Sequence, residues 1–197
     1  MTFDPDSLPL VDDEIDVLND MVGLKAQQII ELGCGPAALA RKLLGRFPQC
    51  QVTALEVDEI QHAKNIAQAQ ERLSFVAAGA QAIPFPDASF DLAIMLKSLH
   101  HVPTPLIGQA IAEAARVLRP GGFLYVSEPI YEGAFGGLIR LFNDERIVRA
   151  AAQSALDQAL QPPSLWSGHT ERRFALGSVF SAFEDFEARQ MRPSYAD

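Results

Sequence analysis

One acid and two glycines near the start of the chain have the types and spacing that binding chemistry needs. Glu31, Gly33 and Gly35 follow a short apolar run, and a helical pattern of apolar residues starts directly after them. Glycines in such a turn let the backbone approach a ligand closely and adopt positive φ. In parallel α/β sheets, ligands bind at the carboxyl ends of the strands. This segment therefore predicts a site for a nucleotide-like cofactor.

A second acid leaves two kinds of cofactor open. Gly33-x-Gly35-x-x-Ala38 fits the dinucleotide fingerprint, and Glu56 lies about 20 residues on, where that fingerprint places a ribose-binding acid. However, Pro36 lacks an N–H where a helix N-terminus would hold a pyrophosphate. Glu31 would repel a phosphate but attract an ammonium group. An NAD-dependent oxidoreductase thus remains an alternative at this point.

Two adjacent histidines are the candidates for catalysis. His100 and His101 come directly after a predicted strand, and an imidazole there could act as a general base or orient an acceptor. Packing within the loop is the other interpretation of both. We take His101 as the candidate catalytic residue because the chain turns into Pro103 soon after it. No His, Cys or carboxylate residues cluster in the sequence at ligand spacing, so no metal site is predicted.

The elements that must position these residues alternate between strands and helices. Such alternation is typical of right-handed crossovers and a parallel sheet. The sequence therefore predicts an α/β, Rossmann-like, doubly wound sheet that is mostly parallel and carries helices on both faces. After the first apolar run, the predicted strands are Gln51–Val57, Leu73–Ala78, Phe90–Leu96 and Phe123–Ser127, and the predicted helices are Glu59–Arg72 and Leu106–Leu118.

Composition shifts divide the chain into four parts. Residues 1–26 are an acidic lead-in and helix, 27–129 the cofactor-binding core, 130–182 a helical insertion or lid on the acceptor side, and 183–197 a C-terminal edge strand. Because so few residues follow that strand, we expect that a final antiparallel strand of the sheet is missing or that the sheet edge is completed differently. An open sheet edge invites pairing with another chain. We therefore expect either an abbreviated sheet or a homodimer.

Charge and hydropathy exclude several classes of function. The formal charge is −9, and residues 1–20 supply −7 of it with no Lys or Arg. A basic footprint for nucleic acid is absent. No apolar stretch approaches the about 18–20 residues that span a bilayer, and the acidic N-terminus is unlike a signal peptide. Cys34 and Cys50 form no disulfide or metal pattern, which favours a cytoplasmic protein.

Five segments in order resemble one enzyme family. Together they are similar to the class I S-adenosylmethionine-dependent methyltransferases, and in particular to the small-molecule, type 11-like branch. The resemblance covers Gln27 to Pro129. The segments are ELGCGPA from Glu31, VTALEVD from Val52, AIPFPDASFDLAI from Ala82, SLHHV from Ser98 and RVLRPGGFLYVSEP from Arg116.

This resemblance implies S-adenosyl-L-methionine as cofactor and a small molecule as methyl acceptor. It places Glu31, Gly33, Cys34 and Gly35 around the methionine end of the cofactor and Glu56 on the ribose hydroxyls. It also implies that Val57 and Asp58 flank the adenine, that Ala80 and Gln81 hold the adenine edge, and that Lys97 contacts the cofactor through its backbone.

The chain departs from the family pattern at two positions. Ala37 stands where similar enzymes have a third glycine, and Gly79 stands where many have an acid that binds the adenine amino group. Loss of one such hydrogen bond costs about 0.5–1.5 kcal/mol, and the Gln81 side-chain carbonyl could replace it. These departures keep open a second alternative, a cofactor-binding protein that regulates or assembles without catalysis.

Overall fold

The computed structural model describes residues 7–25, 27–130, 132–177 and 179–191. No helix within these ranges is both long and apolar enough to cross a bilayer. The strands are β1 (Leu10–Val11), β2 (Gln28–Leu32), β3 (Gln51–Glu56), β4 (Leu73–Ala77), β5 (Phe90–Leu96), β6 (Leu118–Ser127) and β7 (Ala175–Leu176). The helices are α1 (Glu14–Val22), α2 (Ala38–Arg46), α3 (Glu59–Ile66), α4 (Ile107–Val117), α5 (Gly133–Ile139), α6 (Arg146–Ala159) and α7 (Phe183–Phe186).

Five strands form a parallel sheet in the order β4-β3-β2-β5-β6. The chain builds outward from β2 in one direction through β3 and β4, and then returns to add β5 and β6 on the other side. This reversal beside β2 is the topological switch point at which doubly wound sheets bind their ligands. The predicted fold class is therefore confirmed.

Helices cover both faces of this sheet because successive side chains of a strand point to opposite sides. Ile29 lies in the core cluster that contains Ile15 and Leu18 of α1. The next residue, Ile30, lies in the other cluster with Ile111 of α4 and Ala152 of α6. The continuous apolar run of β2 thus serves two hydrophobic cores, one on each face.

Strand β6 is longer than the sequence predicts. Leu118 pairs with Phe90 and Phe123 pairs with Leu92, so five residues of β6 lie opposite a much shorter stretch of β5. The Pro120-Gly121-Gly122 segment, which precedes the predicted strand, therefore forms an irregularity within β6. Gly121 has a φ of 82° there, which glycine adopts without strain.

The predicted C-terminal edge strand is wrong for its described part. Phe183–Phe186 form α7 and Glu187–Met191 form a π-helix, while 192–197 lie outside the described residues. The phenylalanines recur at helical spacing, so helix α7 lets them pack as a group: the Phe180 and Phe186 rings lie 5.1 Å apart. Among the described strands, β6 is consequently one open edge of the sheet.

The N-terminal acids take part in the fold. Asp13 caps α1 by accepting a hydrogen bond from the Ile15 N–H at 3.1 Å, and it pairs with Lys42 at 2.8 Å. Glu14 is buried and accepts a hydrogen bond from the Tyr125 hydroxyl at 3.2 Å. Burial beside the Glu14 carboxylate raises the pKa of Tyr125. These contacts hold α1 against the sheet.

Candidate functional site

The turn between β2 and α2 is held in a left-handed backbone conformation. The φ angles are 75° at Gly33, 50° at Gly35 and 55° at Ala37. A Cβ added at Gly33 would lie 2.9 Å from the Ser98 Cβ, whereas one at Gly35 would meet no atom within 4 Å. Gly33 is thus required by packing, and Gly35 faces open space that a ligand could use.

Neighbouring strands and helices brace this turn. The N–H groups of Gly33 and Cys34 both donate to the Leu55 carbonyl, at 3.0 and 2.9 Å. The Asn65 side-chain amide donates to the Gly35 carbonyl at 2.8 Å, and the Ser98 hydroxyl donates to the Leu32 carbonyl at 2.6 Å. These contacts fix the turn before any ligand binds.

Asn65 and Ser98 are supporting residues that sequence reasoning missed. Asn65 is buried in a short helix, where a polar side chain needs a partner. That burial is the signal, and it becomes visible only once the fold is known. Cys34, predicted beside the cofactor, is also buried; burial and the acids Glu31 and Glu56 raise its pKa to about 12. Its thiol is therefore unsuited to act as a nucleophile.

Glu56 ends β3 and binds the backbone of two turns. Its Oε2 accepts from the Gly35 N–H at 2.7 Å, and its Oε1 accepts from the N–H groups of Val57 and Asp58 at 2.8 and 2.9 Å. A carboxylate offers about four acceptor positions. The geometry brings Glu56 and the glycine turn together as predicted, and leaves room for one more donor on the carboxylate.

Glu31 is buried beside the same turn with one unpaired oxygen. Its side chain is 3% exposed, and Oε2 has no hydrogen-bond partner. Burial, with a contribution from Glu56, raises the pKa of Glu31 to about 8. A buried acceptor without a donor is unfavourable, so a cationic donor in the turn would fit this carboxylate. The residues present thus fit the ammonium group of an amino-acid-like ligand.

The two residues after Glu56 have different roles. The Asp58 carboxylate caps α3, accepting from the N–H groups of Ile60 and Gln61 at 2.9 and 3.0 Å. Val57 is 67% exposed. An exposed apolar side chain at the end of a parallel strand offers a surface on which an aromatic ring can lie.

The segment after β4 contains the second departure from the family pattern. An added Cβ at Gly79 would lie only 2.5 Å from the Gln81 Oε1. The Gln81 amide therefore occupies the space beside Gly79 that a side chain at position 79 would need. Ala80, which stands between Gly79 and Gln81 in the sequence, is buried in the core cluster that includes the residues of α4.

Lys97 follows β5 with a φ of 55°. Its N–H already donates to the Ser127 carbonyl at 2.8 Å, so its own carbonyl is the backbone group left for a ligand. Lys97, Ala80 and Gln81 lie at the ends of strands that are parallel to β2 and β3. Glu31 and Glu56 also lie at or near the carboxyl ends of their strands, so all five residues are on the same side of the sheet.

The two adjacent histidines have different surroundings in the structure. His100 is 3% exposed and its Nδ1 is hydrogen-bonded to Glu128, whereas His101 is exposed. The centroids of the two imidazole rings lie 4.1 Å apart. Glu145, the residue that precedes α6, lies beside them: its Oε2 is 3.8 Å from His100 Nε2. Burial alone would raise the pKa of Glu145, but Arg149 outweighs this and lowers it.

This arrangement differs from the sequence analysis, which predicts no cluster of metal-ligating residues. One ligand atom from each of His100, His101 and Glu145 lies within 4.8 Å of the others. Sequence reasoning missed the cluster because Glu145 is remote along the chain. Helix α6 brings it near by packing on the 3₁₀ turn Leu99–His101.

A cavity of about 620 Å³ lies between α4 and α6. Its lining is mostly apolar or small and includes Thr104, Gly108, Ala155 and Trp166. None of the predicted cofactor residues lines it. Thr104, one of the lining residues, follows His101 by three positions in the sequence.

The glycine turn, the acid at the end of β3 and the switch point are features that Rossmann-like nucleotide-binding proteins share. In a comparison with known proteins, residues 29–122 match the family model described as "Methyltransferase domain". This match agrees with the resemblance to the class I S-adenosylmethionine-dependent methyltransferases.

Individual relatives agree with this assignment. The chain is 35% identical over 119 residues to 27-O-demethylrifamycin SV methyltransferase of Amycolatopsis mediterranei, covering 57% of this chain and 43% of that protein. It is 35% identical over 107 residues to the ubiquinone/menaquinone biosynthesis C-methyltransferase UbiE of Paracoccus denitrificans, covering 52% and 42%. The matches thus span less than half of these relatives' own lengths.

A solved structure supports the same fold. The [4+2]-cyclase SpnF is similar with a TM-score of 0.53 and 28% identity, over 61% of this chain and 45% of that one. That protein is named for a cyclase activity, so likeness in fold does not specify the reaction of the present chain.

Proposed function

We propose that this protein transfers a methyl group from S-adenosyl-L-methionine to a small-molecule acceptor. The observation that carries the proposal is the buried, unpaired Oε2 of Glu31 beside the Gly33–Gly35 turn. An ammonium group at that position would supply the missing donor and compensate the buried charge. A pyrophosphate has no donor for this oxygen and would bring negative charge next to Glu56, which disfavours the dinucleotide alternative.

The geometry of the strand ends supports roles for the remaining predicted cofactor residues. The open space at Gly35 would take the methionine end, near Cys34, and the free acceptor position of Glu56 would take a ribose hydroxyl. Val57 offers an exposed apolar surface for one face of the adenine, with Asp58 beside it. Ala80, the Gln81 amide and the Lys97 carbonyl would complete the pocket.

The protein's part in catalysis is alignment. When bound, the cofactor supplies a methyl group that its sulfonium already activates. The chain must hold the acceptor in line and keep water out. We propose that exposed His101, at the end of β5, orients the acceptor or takes its proton, and that the α4–α6 cavity receives part of the acceptor.

The class of acceptor stays at the level of a small molecule. The relatives' names specify an O-demethylated rifamycin for one and C-methylation for another. Because related chains methylate different atoms, similarity alone does not select the atom for this one. The chain's formal charge of −9 disfavours a nucleic-acid acceptor.

Calorimetry with S-adenosylhomocysteine, the demethylated cofactor, tests the proposal. We expect binding by the full chain and at least about tenfold weaker binding by Glu56→Gln, since a hydrogen bond to a charged group contributes about 1.5–3 kcal/mol. Glu71→Gln, an exposed acid outside the site, is the matched control. Circular dichroism checks that Glu56→Gln is folded. Absence of binding by the unaltered chain would refute the proposal.

The alternatives give different results in the same assays. A nicotinamide enzyme would bind NADH, which fluorescence titration detects. A cofactor-binding regulator would bind S-adenosylhomocysteine but release no methylated product from a broad acceptor panel. Ala37 and Gly79, the two departures from the family pattern, are the observations that favour such a regulator.

We further propose a cytoplasmic homodimer. Cys34 and Cys50 are both buried free thiols, which suits a reducing compartment. Strand β6 is an open edge among the described strands, and Phe123 on it is 48% exposed. Pairing of the β6 strands of two copies would cover both the open sheet edge and the Phe123 side chain.

A further inference from the structure

A cluster of two imidazoles and one carboxylate lies beside the cofactor site and has no role in cofactor binding. We propose that His100, His101 and Glu145 bind a divalent transition-metal ion such as zinc. This inference goes beyond methyl transfer, and the existence of the ion site does not depend on it. The reasons are the types of the donor atoms, the distances between them and the residues that hydrogen-bond to the ligand side chains.

The donor set and its spacing suit zinc. Two histidines and one glutamate are the three protein ligands of several catalytic zinc sites, with a fourth position open. In tetrahedral coordination, ligand atoms about 2.0–2.1 Å from zinc lie about 3.4 Å from each other. His100 Nε2 and Glu145 Oε2 are 3.8 Å apart, and all three donor atoms lie within 4.8 Å. Small side-chain rotations would close this difference.

The hydrogen bond between His100 Nδ1 and Glu128 favours the tautomer that a metal ligand needs. The Glu128 carboxylate lies at His100 Nδ1 and can accept its proton in a hydrogen bond, which leaves Nε2, on the side of Glu145, as the atom that can bind an ion. Glu128 is itself fixed, accepting from the Leu99 N–H at 3.0 Å. A carboxylate behind a metal-binding histidine is the usual supporting arrangement in metal sites.

Glu145 is likewise oriented by its neighbours. Asn143 donates to its Oε1 at 3.0 Å, and Arg149 donates to its Oε2 at 2.5 and 3.0 Å. Arg149 is the competitor of the ion for this oxygen. It also donates to the Pro129 carbonyl at 3.2 Å, and this second acceptor lets it stay in place if it yields one bond to Glu145.

The position of the cluster gives the ion a role. His101 is exposed, so solvent or a ligand reaches the open coordination position. The cluster follows β5 at the same sheet edge as the glycine turn. If the proposed methyl transfer is correct, the ion would hold an acceptor oxygen near the methyl group, so that His101 serves as a ligand instead of a base.

Cobalt(II) is the probe that tests the ion site. The full chain is stripped with a chelator and titrated with cobalt(II) while the visible absorption is recorded. We expect one ion per chain and a spectrum of low-coordinate N/O ligation. Changing a residue behind a ligand costs about 10- to 100-fold in affinity, so we expect at least that loss in His101→Ala and Glu145→Gln.

Two controls keep the result decisive. His169→Ala removes an exposed histidine outside the cluster and should leave the titration unchanged. Because His101 is exposed, His101→Ala is expected to fold normally, which circular dichroism checks. Unaltered cobalt affinity in His101→Ala, or no binding by the original chain, would overturn the ion site. S-adenosylhomocysteine binding, measured on the same samples, reports separately on the proposed function.

Discussion

Ala37 has the backbone conformation of a glycine. Its φ of 55° costs a non-glycine residue about 1–2 kcal/mol, yet its methyl group is fully buried in the core around α1 and α2. Strain and burial thus oppose each other at this one residue. The family's third glycine avoids the strain, whereas this chain keeps the strain and gains about 0.8 kcal/mol of apolar burial. Because that methyl points into the core, it leaves the ligand side of the turn open.

Two glycine substitutions test this balance. Ala37→Gly loses the methyl group but relieves the strain, so its free energy of unfolding should stay near that of the original chain. Ala40→Gly, equally buried on α2, loses both burial and helix propensity and should cost at least about 1 kcal/mol more. Urea unfolding compares them. Equal destabilisation of the two variants would argue against strain at Ala37.

Glu31 makes stability depend on pH. Its pKa is about 8 in the folded chain against an ordinary 4.5, so between these values the folded state keeps a proton that the unfolded state releases. The stabilisation is complete below pH 4.5 and is lost as the pH rises through 8, with a slope up to about 1.4 kcal/mol per pH unit. Glu31→Gln should flatten this slope, whereas the exposed control Glu71→Gln should preserve it.

The same carboxyl links protons to the cofactor. An ammonium group next to Glu31 would favour its ionised form, so binding near neutral pH should release a proton. Calorimetry of S-adenosylhomocysteine binding in buffers with different ionisation enthalpies measures this release. A binding enthalpy independent of the buffer would show that Glu31 does not meet the ammonium group.

At the scale of elements, Arg116 at the end of α4 fastens the loop that follows the adenine segment. Its guanidinium donates to the carbonyls of Phe85 and Ile83 at 2.8 and 2.9 Å. Glu113, one turn earlier, accepts from the Ile83 N–H at 3.0 Å. Helix α4 and this loop are therefore coupled through a few polar groups.

Arg116→Lys tests that coupling. Lysine lacks the planar fork, so bonds to the loop carbonyls would be lost at a cost of about 1–2 kcal/mol. Amide hydrogen exchange should increase in residues 83–89. Arg119→Lys, at an exposed pair with Asp91, should change stability by less than about 0.5 kcal/mol. Similar effects of both substitutions would mean that the Arg116 contacts do not hold the loop.

The elements also show what could be predicted from the sequence. Strand β5 has the predicted bounds, and Glu31 and Glu56 meet at the glycine turn, because local apolar runs and motifs specify both. Helix α3 ends earlier than expected, since the chain must turn back through Arg72, whose φ is 64°, to start β4. Asn65 and Glu145 act through partners far along the chain, which no local pattern reveals.

For the whole molecule, the open edge at β6 yields a prediction about assembly. Two copies paired there would bury Phe123 and satisfy the edge N–H and carbonyl groups. Analytical ultracentrifugation should find a dimer that Phe123→Lys dissociates. Leu141→Lys, at a residue 81% exposed away from β6, should leave the dimer intact. A monomeric original chain, or a dimer that Phe123→Lys leaves intact, would contradict pairing at β6.

The small sheet formed by β1 and β7 has a consequence for synthesis on the ribosome. Leu10 pairs with Ala175, so β1 cannot pair until β7, the last of the described strands, has been synthesised. The five-stranded sheet can form once Ser127 has left the exit tunnel, because its strands pair within that length. Contacts between distant parts of a chain form slowly. The nascent chain should therefore form its five-stranded sheet first and pair β1 only after Leu176 has emerged.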